Sequence, residues 1–193
     1  MTIDIEHVEA SIRRFNKTAI ILAARATGVP EEELNIHPVI VSKENYIWAI
    51  TESKGKTDSD FYTPYIVNAS FCLEILLKSI IYYEKDEWVH GHNLVNLYSK
   101  ISTNVKKEIN DSFKRNHKAN TIYKEALKVI KHEASISITW NVASLLDRAS
   151  NAFENWRYAF DKNKQKSCFI GYDELYKVLT EAKEKIVLTR HSS

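Results

Sequence analysis

The sequence predicts an all-α fold, and three observations carry that expectation. Breakers are scarce: 193 residues hold only 4 Gly and 3 Pro, where average usage would give roughly 23 of the two together. A sandwich or barrel needs many tight turns, each favouring residues that fix φ or tolerate it positive. The seven breakers cluster at Gly28/Pro30, Pro38, Gly55, Pro64, Gly91 and Gly171, which read as joints between long elements. Between them, apolar residues recur every three or four positions, the spacing of a helix face.

In the first element Ile5, Val8, Ile12, Phe15, Ala19, Leu22 and Ala26 alternate with Glu6, Glu9, Arg13 and Lys17. This is an amphipathic helix closed by Gly28 and Pro30, and its apolar face suits either the core or a second subunit. Residues 31–60 are the least helical part. Val39-Ile40-Val41 and Tyr46–Ile50 flank Lys43-Glu44-Asn45, which fits a short hairpin or, alternatively, a helix over 43–53. Residues 51–60 are polar and read as a loop.

From Pro64 to Tyr83 runs a strongly apolar helix whose inner polar residues are Asn68, Ser70, Glu74, Lys78 and Ser79. Ser70, Glu74 and Lys78 stand four apart and share one stripe. That stripe either faces water or lines a polar groove inside the protein. After His90-Gly91-His92-Asn93, where Asn93 is a plausible N-cap, a helix is expected through Leu94, Tyr98, Ile101, Val105, Ile109 and Phe113. A shorter one carries Ile122, Ala126, Val129 and Ile130, and a long one runs from Val142 through Leu145, Ala149, Phe153 and Trp156 to Asp161. Residues 162–167 form a basic linker. The last helix carries Leu175, Val178, Ala182 and Ile186, with a frayed tail from Thr189.

Composition excludes several classes. With 44% hydrophobic and 27% charged residues the chain is globular rather than disordered. Two cysteines make neither a disulfide framework nor a zinc site. No HExxH, glycine-rich phosphate loop or G-x-S-x-G elbow occurs, so no cofactor is expected. Residues 1–6 lack a basic segment leading into an apolar run, no uninterrupted apolar stretch reaches membrane-spanning length, and the cytoplasm is the expected compartment. Charge is uneven: residues 1–60 hold 10 acidic against 7 basic side chains, whereas residues 106–132 hold eight basic against three acidic ones. The second segment is either a polyanion surface or a solvated lysine-rich face.

Two short segments carry candidate chemistry. His92 lies beside Asn93 at a helix start, and Arg157, Tyr158 and Asp161 share the helix that also holds Glu154. A histidine, an arginine, a tyrosine and carboxylates on neighbouring helices can bind a phosphodiester and move its protons. The alternative is a buried polar network that locks helix packing.

These segments resemble the HEPN-domain family. The likeness rests on Asn68-Ala69-Ser70 with Glu74 and Leu77-Lys78, on Gly91-His92-Asn93-Leu94 with Leu97-Tyr98, and on Phe153, Trp156-Arg157-Tyr158 and Asp161. It implies a division into residues 1–60, a HEPN-like core over 61–162, and a C-terminal helix over 163–193. It also implies an antiparallel helical bundle that forms a homodimer, with RNA or nucleotides as substrate and a role in prokaryotic defence or stress. A partner protein from the same system is a further implied possibility, and a membrane is not expected. Many members cut RNA without metal through an R-x(4–6)-H motif. Here no arginine has a histidine five to seven positions after it. The resemblance therefore assigns catalysis to Arg157 and His92, with Tyr158, Asp161, Glu74, Lys78, Asn68 and Asn93 in support. The alternative it leaves is an inactive dimeric module that binds a protein or RNA.

Overall fold

A computed structural model describes residues 3–43, 46–51, 57–117, 121–150 and 167–191. Its first helix, α1 (Ile5–Thr27), starts where the Asp4 side chain accepts the His7 amide and stops at Gly28, whose φ is +67°. Ile12, Ala19, Ala23 and Ala26 make its buried face. The alanines keep that face thin, so α2 (Tyr62–Lys85) packs closely along it, and the Cys72 thiol reaches the Ile12 carbonyl at 3.5 Å. The periodicity of α1 thus serves the core.

Helix α2 is the centre of the molecule. α1, α3 (Leu94–Lys100), α6 (Val142–Ser150) and α7 (Tyr172–His191) all pack against it. Leu73, Leu76, Leu77, Ile80 and Ile81 are fully buried, each contributing about 1.5–3 kcal/mol by leaving water. By length and composition the helix could cross a membrane, but most of it is buried inside the protein.

Three departures from the sequence expectation have physical causes. First, the fold is mainly helical rather than all-α. The hairpin alternative is realised as β1 (Val39–Lys43) and β2 (Tyr46–Ile50), and β3 (Ser167–Phe169) joins on the far side of β1. All pairings are antiparallel, with Ile40 opposite both Ala49 and Phe169. β1 is buried as the central strand, and β3 forms between the expected basic linker, whose residues 162–166 lie outside the described residues, and the last helix, because Cys168 and Phe169 can pair with β1 and bury. Second, the single helix expected over 94–113 is two. Ile101 takes an extended ψ of 144°, and Ser102 then caps α4 (Thr103–His117) by accepting the Val105 amide. Third, the C-terminal tail is helical to His191, because Arg190 pairs with Asp86 at the end of α2 and the Thr189 hydroxyl donates to Lys185. Helix α5 (Thr121–Val129) ends in a π turn over Ile130–Ala134. The continuation of the long helix expected beyond Ser150 lies outside the described residues.

The terminal helices are clasped by charge as well as by packing. Lys183 of α7 pairs with Glu9 of α1, and the Ser79 and Tyr83 hydroxyls of α2 each donate to the same carboxylate at 3.4 Å. In the core His37 stacks on Tyr65 at a ring-centroid distance of 5.7 Å and meets Tyr172 edge-on at 5.2 Å. Burial pushes its imidazole down to about 4 from an ordinary 6.5.

Two measurements check this account. Gly171 joins β3 to α7 at φ +76°, and a Cβ there would sit 2.9 Å from Leu145 Cδ1. Gly171→Ala therefore combines a left-handed backbone with a clash, and urea unfolding is expected to show a loss of about 2–3 kcal/mol. His37 gives a pH signature. Between pH 6.5 and 4 the unfolded chain binds a proton that the folded chain refuses, so stability is lost on acidification, by about 3 kcal/mol across that window. Burial pushes Asp173 the opposite way, upward, so it opposes the His37 effect and is present in any variant of His37. His37→Phe keeps the ring stacking, and the wild-type stability curve is expected to fall more steeply with acid than the variant's.

Candidate functional site

The polar stripe on α2 faces inward. Ser70, Glu74 and Lys78 are 5%, 6% and 8% exposed, because the helices packed on α2 cover the side that carries them. Two charges in that setting must satisfy each other. Lys78 Nζ donates to Glu74 Oε1 at 2.8 Å across one helical turn.

The second partner of Glu74 comes from the loop before α3. Gly91 has φ +104°, and the space where its Cβ would stand is open, so backbone geometry alone favours glycine there. The turn it makes brings His92 to α2, with Nδ1 at 3.0 Å from Glu74 Oε1 and 3.2 Å from Oε2. The imidazole itself remains 79% exposed while the carboxylate is 7% exposed. An ionised carboxylate only accepts, so the tautomer assigned from this contact carries its proton on Nδ1 and leaves the Nε2 lone pair free. The ensemble is an exposed proton acceptor oriented by a buried acid, with the acid's charge balanced by a buried ammonium.

Asn93 is the expected N-cap, its side chain accepting the Asn96 amide at 2.8 Å. The next two amides of α3 have an unexpected partner. Ser150, at the end of α6, accepts from Leu94 and Val95 at 3.0 and 3.3 Å while donating to the Leu146 carbonyl at 2.8 Å. Its sequence signal was faint: a small hydroxyl one turn after a buried leucine, in position to bond back along its own helix. These residues enclose a recess of about 20 Å³ lined by Ser70, Phe71, Glu74, His92, Leu94, Ala149 and Ser150.

Of the residues predicted for the site, the structure thus brings together His92, Glu74 and Lys78, with Asn93 fixing the helix start beside them. Asn68 is half-buried on α2 and is not among the residues lining the recess. Arg157, Tyr158 and Asp161 lie outside the described residues. In the basic segment Lys107, Lys114, Arg115, Lys124, Lys128 and Lys131 are exposed. Among the described residues no group of three or more His, Cys, Asp and Glu side chains is placed to hold a metal ion. Compared with models of protein families, with curated proteins and with solved structures, the chain finds no match.

The buried pair makes a direct prediction. Lys78→Met strands the Glu74 carboxylate in an apolar setting and is expected to cost about 3 kcal/mol in denaturant unfolding. Glu74→Leu/Lys78→Met removes both charges and is expected to recover most of that loss. A loss in the double variant equal to the sum of the Lys78→Met and Glu74→Leu losses would show that the two side chains are not coupled.

Proposed function

We propose that this chain is a HEPN-like protein that acts on RNA or nucleotides, with His92 as the group that moves the proton. The observation that carries the reading is the Lys78–Glu74–His92 arrangement, in which a buried carboxylate orients an exposed imidazole. Such an imidazole accepts a proton from an attacking hydroxyl at Nε2 and returns one to a leaving oxygen, the chemistry of phosphodiester cleavage without metal. Glu74 is a positioning residue that holds the ring. Lys78 balances the charge of the carboxylate in its apolar surroundings.

Arg157 has the complementary task in this proposal: a guanidinium that grips phosphate through paired donors. Its support is the sequence context Trp156-Arg157-Tyr158 with Asp161. The exposure of His92 on an open surface suits a site completed by a second copy of the chain, so a homodimer is part of the proposal. A role in defence or stress response rests on the resemblance of the motifs alone. The second reading, a binding module without catalysis, is favoured by the absence of an arginine with a histidine five to seven residues after it.

The two readings separate in one assay. Purified protein is incubated with total RNA in EDTA, alongside His92→Ala, Glu74→Gln and Arg157→Ala. Cleavage by the wild type is expected to fall by about 10²–10⁴-fold in His92→Ala, with a smaller loss in Glu74→Gln. RNA left intact by the wild type but retained by it in a gel shift would decide for the binding module.

A further inference from the structure

The fold leaves the exposed cations of α5 without a task. Lys124 and Lys128 stand four residues apart, and Lys131 follows three further on in the π turn, so the three share one side of the element. All three are exposed. Several lysines elsewhere are tied down: Lys78 to Glu74, Lys183 to Glu9, Lys185 to Glu108 and Lys106 to the Ser99 carbonyl. Among the described residues none is paired with Lys124, Lys128 or Lys131. Glu133, the acid closest in sequence to Lys131, is taken by the ring of His132 at 2.7 Å.

Helix stability gives no reason for this arrangement. Like charges four apart destabilise a helix. The helix dipole favours cations in the last turn, which suits Lys128, but it disfavours them in the first turn. There α5 carries Lys124 and no acid. Lys43 of β1 adds a fourth cation at the end of the stripe. Its Nζ donates to the Glu133 carbonyl at 3.0 Å and keeps two further donors. Residues 106–132 hold eight basic against three acidic side chains, whereas residues 1–60 are net acidic. The excess of cations is local to this part of the chain.

We infer that Lys124, Lys128 and Lys131 form a contact for the RNA backbone, their ammonium groups meeting successive phosphates of a single strand. This rests on the RNA-directed reading above and adds a binding surface on an element other than those that hold His92. The stripe runs roughly 10 Å along the helix axis, long enough to follow consecutive phosphates. An ammonium attracts phosphate as a point charge and reads no base, so the contact supplies affinity without sequence preference. A membrane surface is the less suited polyanion. A helix lying in a bilayer interface gives its apolar face to the lipid, and on α5 that face, with Tyr123, Ala126 and Ile130, is buried in the core.

The test is the salt dependence of binding, read by fluorescence anisotropy in EDTA. The probe is a single-stranded 2′-O-methyl RNA, which keeps the phosphates and lacks the free 2′-hydroxyl that cleavage uses. Each phosphate contact on a single strand adds about 0.7 to the slope of log K against log salt. Lys124→Gln/Lys128→Gln/Lys131→Gln is therefore expected to flatten the wild-type slope by about 2. Arg13→Gln/Arg14→Gln/Lys17→Gln removes the same charge from exposed positions of α1, and is expected to change the slope by less than about half as much. Both variants are expected to keep the wild-type thermal midpoint, since every residue changed is exposed. A slope unchanged in the α5 variant, or flattened equally in the α1 variant, overturns the stripe and leaves RNA binding standing. Wild type held more strongly by phosphatidylserine vesicles than by the strand overturns the choice of RNA. A wild type that binds neither overturns this inference, while the cleavage assay on unmodified RNA decides the RNA-directed reading separately.

Discussion

The rest of the structure depends on one constraint: the helices packed on α2 cover the face that carries its charged stripe. Most helices solve the placement of charge by turning a polar stripe outward. This one carries Glu74 and Lys78 on a stripe that is buried, and the two neutralise each other across a single turn. Replacing such a pair with well-packed apolar residues is often neutral or stabilising, so packing alone gives little reason for its presence. Its effect is directional. It fixes a carboxylate at one point of the core and leaves that carboxylate able to hold a third group at the surface.

The neighbouring elements are arranged around that point. Gly91 turns the chain so that His92 meets the carboxylate, Asn93 starts α3 one residue later, and Ser150 ties the new helix start to the end of α6. Four short-range devices therefore register three helices against one another within a few ångströms. The C-terminal end of α2 uses a similar economy, with Arg190 closing on Asp86 and, beside it, Lys183 on Glu9. Polar contacts at its middle and its C-terminal end set the position of a helix otherwise held by apolar packing.

Much of this was legible in the residues. The boundaries of α1 follow from apolar spacing and Gly28, and the N-cap at Asn93 follows from an amide side chain before an apolar helix. The stripe of Ser70, Glu74 and Lys78 was visible, but its direction was not, because one sequence cannot show how many partners surround a helix. The break at Ile101-Ser102 was hidden by continuous apolar periodicity: a helix can end at any residue whose carbonyls and amides find other partners, here a serine cap. β3 was hidden for a different reason. Three residues carry no period of their own, and Ser167–Phe169 become a strand only because β1 offers an unpaired edge. The contact of Ser150 with α3 was equally out of reach, since the two lie on separate helices.

That sheet has a consequence for the birth of the protein. β1 leaves the ribosome well before β3, and at about 5–20 residues per second the interval between them lasts on the order of ten seconds. Throughout it β1 can pair only with β2, and its other edge, bearing Val39, Ile40 and Val41, is open to strands of other chains. Pairings between distant parts of a chain also form slowly once both are present. The same antiparallel contact that seals the finished molecule therefore makes the nascent one dependent on whatever shields a bare apolar edge until Cys168 and Phe169 arrive.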